Sequence, residues 1–322
     1  MCAGLTGAQE KEPVSRVPGN WGFGWTGPAE SVQIDKMWPR ERIMHMASRL
    51  ILLEGVPCTG KTSTARFVSS QVRGWYPDVR LYTDEALWHP ADLVNYAFLT
   101  PEQYREFPED ERVLLPVEPT EEPKGYLVYT AELYDELREK LEPFKLFGCQ
   151  PWEVERPLML ARWRQFVEKA VQEDAVYIFD GVFFERPVCE MMMWFDLGRE
   201  EIESFMKELA EIVRPLTPFV LYLENSEIEA RLRKVSAERD YDWLVDFIAY
   251  HTGQGYGQRT GLPDMEGCVA ALEARQGLEL GLLERLPVDH LIIQNPFEDW
   301  VESNNVIRTR LREFLGGKVT VG

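Results

Sequence analysis

The chain has 322 residues, 45% of them hydrophobic, which is enough to bury one substantial core. Its formal net charge of −19 and pI near 4.8 argue against general affinity for DNA, RNA or anionic lipid, because such binding needs clustered Lys and Arg. Cys2, Cys58, Cys149, Cys189 and Cys268 show no CxxC spacing, no apolar run approaches a bilayer span, and MCAGLTGAQEKEPV lacks a basic start followed by an apolar core. The expectation is a soluble cytoplasmic protein with no nucleic-acid and no membrane partner; the sequence leaves its oligomeric state open.

In chain order, residues 1–46 are rich in Gly and Trp without helical or strand period, and read as a loosely ordered tail. One domain is expected over 47–322. Short β-rich runs, RLILLE (49–54), VRLYT (79–83), AVYIFD (175–180), PFVLYLE (218–224) and DHLIIQN (289–295), alternate with stretches of helical period. That pattern predicts an α/β fold: a five-stranded doubly wound parallel sheet with helices on both faces.

The interval at about 86–156 is too long for a plain crossover and reads as a helical insertion between strands 2 and 3. It contains VEPTEEPKG as a Pro/Glu-rich loop and the short helix AELYDELREKL, with Leu133, Leu137 and Leu141 in line. Its aromatics, Trp88, Tyr96, Phe98, Tyr104, Phe107, Tyr126, Tyr129 and Tyr134, either line the mouth of a site or form an appendage's own core. Pro157 suits the first turn of a helix burying Met159, Trp163, Phe166 and Ala170. Asp196 precedes a helix with Ile202, Phe205, Met206, Leu209 and Val213 on one face, and Ser226 with Glu229 predicts a capping box. HTGQGYGQRTGLPD, with Tyr256 and Arg259 at its tip, reads as a Gly-rich loop, and a last helix is expected from Trp300 to Leu315.

The chemistry concentrates at LILLEGVPCTGKTSTARF. Gly55-Val56-Pro57-Cys58-Thr59-Gly60-Lys61-Thr62, followed by Ser63, matches G-x-x-x-x-G-K-[ST] between a strand and a helix. Glycines let successive N–H groups turn inward toward phosphate oxygens, and the helix adds its positive end. Lys61 supplies a mobile cation for the β and γ phosphates of ATP; the Thr62 hydroxyl supplies an oxygen to Mg²⁺. Motifs for guanine recognition, zinc proteolysis and a serine nucleophile are absent.

On these residues the chain resembles the P-loop NTPase superfamily, and within it the small-molecule kinases: nucleoside, thymidylate, adenylate, shikimate and chloramphenicol kinases, together with resistance ATP-binding proteins. LLEGxxxxGKT is similar to the thymidylate-kinase loop, with Glu54 in the acidic slot; Cys58 departs from it where many relatives carry a third Gly. The resemblance implies a carboxylate, Asp84 or Glu85, that addresses the acceptor hydroxyl at the end of strand 2. It implies a metal-holding Asp180 at the end of YIFDG; Glu185 and Arg186 either lie near the acceptor or form an ordinary surface ion pair. It implies lid arginines among Arg231, Arg233 and Arg239 that neutralise the transferring phosphoryl. Arg162 and Arg164 are similar to the arginine-bearing helix of thymidylate kinases, and His89 reads as a turn residue.

The function so implied is transfer of the ATP γ-phosphoryl to a hydroxyl of a small-molecule acceptor of antibiotic, nucleoside or sugar type. The alternative is a non-transferring ATPase or sequestration protein. A third reading is an interaction protein in which the nucleotide is structural.

Overall fold

A computed structural model describes residues 48–239 and 241–316, so the expected tail over 1–46 lies outside the described residues. The strands in chain order are β1 Arg49–Glu54, β2 Val79–Tyr82, β3 Tyr96–Leu99, β4 Val117–Thr120, β5 Gly125–Tyr129, β6 Val176–Asp180, β7 Pro218–Glu224 and β8 Asp289–Gln294. Five of them form one parallel sheet in the order β2-β6-β1-β7-β8. LILLE is apolar at nearly every position because β1 lies at the centre of this sheet and is covered on both faces.

The helices are α1 Lys61–Arg73, α2 Pro101–Glu106, α3 Glu109–Arg112, α4 Asp135–Leu141, α5 Trp152–Ala170, α6 Glu185–Cys189, α7 Arg199–Val213, α8 Ile228–Ser236, α9 Tyr241–Thr252, α10 Gly255–Thr260, α11 Asp264–Leu283 and α12 Trp300–Phe314. Strand alternation sends Leu50, Leu52, Phe179 and Tyr222 to one face, against Leu158, Trp163 and Phe166 of α5 and Phe205 and Leu209 of α7. Ile51, Leu53, Ile178 and Leu221 face Ala65, Val68 and Val72 of α1 and Ile307 and Leu311 of α12. Every strand of this sheet ends on the same edge, where an open parallel sheet gathers ligands.

The insertion departs from its predicted helical character. VEPT is not loop but β4, an outer strand of a three-stranded antiparallel sheet in the order β3-β5-β4. An edge strand tolerates Pro119, since a missing N–H on an outer edge breaks no ladder bond. Leu133, Leu137 and Leu141 close a small core with Ala97, Leu99 and Val128, as their alignment predicts. Tyr96 and Phe98 instead join the main core, and Tyr104 pairs with Tyr126 at 4.5 Å.

Other local expectations also change. Pro157 stands inside α5 rather than in its first turn. The Ser226 capping box does not form, because the Ser226 hydroxyl bonds Asn295 and α8 begins two residues later without a side-chain cap. Asp196 takes a left-handed φ of 50° and pairs with Arg259, leaving Gly198 to start α7. The Gly-rich stretch expected as a loop contains α10.

After α6 the chain makes a π turn, Glu190–Trp194, that buries Glu190 and Met191–Met193. Glu190 neighbours the buried Glu155 of α5, whose carboxylate accepts from the Gly148 amide. Burial pushes Glu155 up to about 8, and the neighbouring Glu155 drives Glu190 up further beyond what its own burial does. A folded-state value above the ordinary 4.5 gives stability that is complete below that value and lost as pH rises through about 8. Unfolding midpoints in urea are therefore expected to fall between pH 6 and pH 9. Glu155→Gln, which keeps an acceptor for the loop and a donor for Glu190, should make that fall smaller.

Candidate functional site

The turn from β1 into α1 is built from three left-handed backbone positions: Gly55 at φ 139°, Cys58 at 69° and Gly60 at 89°. At Gly55 a Cβ would stand 2.5 Å from the Leu223 carbonyl oxygen, and at Gly60 it would stand 2.7 Å from the Trp300 ring. Cys58 thus adopts a conformation that the glycine of similar loops adopts without Cβ crowding. Cys58→Gly is expected to raise stability by up to about 1 kcal/mol. Gly55→Ala should cost about 2–4 kcal/mol, and urea denaturation distinguishes the two.

Among the described residues, the amides of Cys58 and Gly60 form no backbone–backbone hydrogen bond, while residues 57 and 58 form a hydrogen-bonded turn. The loop is tied from inside: Thr59 Oγ1 donates to the Val56 carbonyl at 3.0 Å, and Lys61 Nζ donates to the same oxygen at 3.1 Å. Val56 is buried against Ile228, Leu232 and Leu272, Pro57 is partly buried, and Ser63 is exposed on α1.

Lys61 is only 8% exposed and lies 3.0 Å from Glu185 Oε2. Burial pulls its pKa down, and Glu185 and Asp180 more than reverse this, so it remains a cation. Glu185 also touches Arg275 Nη2 at 3.7 Å, Arg275 Nε lies 3.2 Å from Glu279, and Glu279 accepts from the Tyr222 hydroxyl at 2.6 Å. Arg275 and Glu279 are 1% and 0% exposed, so a charged chain runs through the interior from the loop to α11. Glu54 steadies the near end by accepting from the amides of Phe183 at 2.8 Å and Glu185 at 3.0 Å, while burial pushes its carboxyl up to about 8.

Asp180, at the end of β6, is fully buried and neither carboxylate oxygen meets a hydrogen-bond donor by geometry. Burial pushes it up to about 6 against the pull of Lys61. Thr62 Oγ1 donates to Asp84 Oδ1 at 3.2 Å, and Asp84 is close enough to Asp180 to raise it. Among the described residues no group of three His, Cys, Asp or Glu side chains forms a metal cage. The hard oxygens of Thr62, Asp84 and Asp180 suit Mg²⁺, which keeps waters and phosphate oxygens as most of its ligands.

The remaining candidates divide. Arg231 Nε donates to the Cys58 carbonyl at 2.9 Å, with its guanidinium over the Phe297 ring. Burial raises the Cys58 thiol while Lys61, Arg239 and Arg231 pull it back, and the Arg239 guanidinium lies over the Trp243 ring at 4.5 Å. Arg233 pairs with Glu229 on the exposed face of α8, Glu85 pairs with Arg66 in solvent, and Arg164 pairs with Glu208. Arg186 pairs with Asp92 and Arg162 with Glu118. His89 is a buried wedge, its ring 4.3 Å from that of Phe179 and its pKa lowered to about 4 by burial.

Sequence reading passed over Arg275 and Glu279. Their i, i+4 spacing is that of an ordinary surface pair. The available signal was their register: with Cys268, Leu272 and Leu282 they share the buried stripe of α11.

No family model matches the sequence, and no curated protein matches it. Among solved structures, the chain is similar to one described as "a putative kinase from Chloroflexus aurantiacus", at 13% identity and a TM-score of 0.34, covering 84% of this chain and 99% of that one. Among the described residues no helix is long and apolar enough to cross a membrane.

Proposed function

We propose that the protein is an ATP-dependent phosphotransferase that moves the γ-phosphoryl group to a hydroxyl of a small molecule. The observation that carries this reading is the juxtaposition at one sheet edge of the buried Lys61 ammonium, the unbonded Asp180 carboxylate and the Thr62–Asp84 pair. In this reading the amides of residues 55–63 cradle the phosphates, Lys61 leaves Glu185 to meet them, and Arg231 and Arg239 close from the lid side. Thr62 and Asp180 would hold Mg²⁺, which supplies charge neutralisation on the phosphate oxygens. Asp84 orients the acceptor and takes its proton; the bond from the γ-phosphorus to the β-phosphate oxygen breaks, a bond to the acceptor oxygen forms, and ADP leaves.

Incubation with ATP, Mg²⁺ and a panel of antibiotics, nucleosides and sugars, read by mass spectrometry, tests the proposal with Lys61→Ala as control. One acceptor gaining a phosphoryl group is the expected result. ATP consumption at the same rate with and without every acceptor would instead support the non-transferring reading.

A further inference from the structure

We infer that the acceptor is an alcohol without phosphate or carboxylate, bearing a flat aromatic part that stacks on Trp88. The inference rests on the phosphotransferase reading and names the substrate class of its acceptor side.

The first observation is charge. Three arginines flank the stretch that follows Asp84, and each is matched. Arg66 Nη2 lies 2.8 Å from Glu85, Arg186 Nε lies 3.1 Å from Asp92, and Arg162 Nη2 lies 2.7 Å from Glu118. The Arg162 pair is fixed further: the guanidinium stacks over the Tyr96 ring at 4.7 Å, and the Tyr96 hydroxyl donates to the other Glu118 oxygen at 3.2 Å. Asp84 remains, bonded to a hydroxyl rather than a cation. The local sum is therefore negative, within a chain of formal charge −19.

An anionic acceptor would have to displace a carboxylate from its arginine. Asp92 is almost wholly buried, so this would strand a charge away from water. A neutral hydroxyl meets no such penalty and finds in the Asp84 carboxylate, bonded only to the Thr62 hydroxyl, an acceptor for its proton.

The second observation is apolar exposure held rigid. Leu87 and Trp88, three and four residues beyond Asp84, are 66% and 46% exposed. They are nevertheless not on a loose loop. Asn95 Nδ2 donates to the Leu87 carbonyl at 2.6 Å, and the next residue, His89, is wedged between the rings of Phe179 and Tyr82. Tyr82 meets Trp88 edge-on at 6.0 Å. A large ring kept exposed by a buried anchor is preorganised for stacking, which lowers the ordering cost of binding. His89 adds no charge: its Nδ1 accepts from the Ala91 amide at 3.1 Å, leaving Nε2 protonated and without a hydrogen-bond partner, so the ring is a neutral donor.

The test uses the full chain with Mg²⁺-ATP and acceptors matched for shape but not charge. The probes are thymidine against its 5′-monophosphate, 4-(hydroxymethyl)benzamide against 4-(hydroxymethyl)benzoate, and glucose against gluconate, with phosphorylated product read by mass spectrometry. Transfer is expected only to neutral aromatic members. Trp88→Ala should raise KM for the best of them about tenfold with kcat within about twofold, and Trp88→Phe should restore it. Glu118→Gln, which frees the Arg162 cation at a half-exposed carboxylate, should narrow the gap between neutral and anionic partners about tenfold. Equal or better kcat/KM for an anionic member, or transfer to glucose untouched by Trp88→Ala, overturns the inference and leaves the phosphotransferase reading standing. ATP hydrolysis that no acceptor changes overturns both.

Discussion

Lys61→Met is expected to lower ATP affinity by about 100-fold or more, since it removes a charge-assisted donor to a polyanion. Equilibrium binding of a fluorescent ATP analogue measures it. The same change has a structural component that must be separated. Lys61 neutralises Glu185, a carboxylate that burial pushes up and that Lys61 and Arg275 together hold below its ordinary value. Removing the lysine leaves Glu185 with Arg275 alone at 3.7 Å, so the single variant should also lose about 1–3 kcal/mol of stability. Lys61→Met combined with Glu185→Gln should regain most of that stability and none of the ATP affinity. Recovery of both would mean that Lys61 serves the fold alone.

The second large effect concerns Arg275. A guanidinium that is 1% exposed is retained only if its partners repay its desolvation, and here the partners are Glu185 and Glu279. Arg275→Met fills the same space but leaves Glu279, itself wholly buried, beside Tyr222 with no cation. A loss of about 3–5 kcal/mol is expected in urea unfolding. Adding Glu279→Met removes the stranded charge as well and should recover more than half of the loss. Failure of the double variant to recover would assign the effect to packing rather than charge.

The parts of the molecule legible in the sequence are those whose signal is local. The five core strands follow from apolar runs, and the tight turn at residues 55–62 follows from eight contiguous residues, because a backbone that must turn tightly between a strand and a helix has few solutions. The strand order was not legible, since period fixes which residues face a core but not which strand lies beside which. The insertion sheet was hidden by its composition: VEPT carries Pro and Glu because it is an edge, where those residues discourage further pairing. Ser226 had the spacing of a cap, yet Asn295, distant in sequence and adjacent in space, took its hydroxyl. The same non-locality hid the partners of the site. Glu185 reads as one surface carboxylate among many until α1 and α11 bring Lys61 and Arg275 to its two oxygens.

The contact between Gly60 and the Trp300 ring has a consequence for how the protein is made. Ribosomes release the turn at residues 55–62 early, whereas the indole that covers it, and the helix that packs Ile307 and Leu311 against Ile51 and Leu53, emerge long afterwards. During that interval the nascent turn lacks its cover and one face of the central strand is covered by α1 alone. Synthesis that stalls before residue 300 should accordingly yield chains that chaperones retain, and that become protease-resistant only once the segment bearing Trp300 has been added.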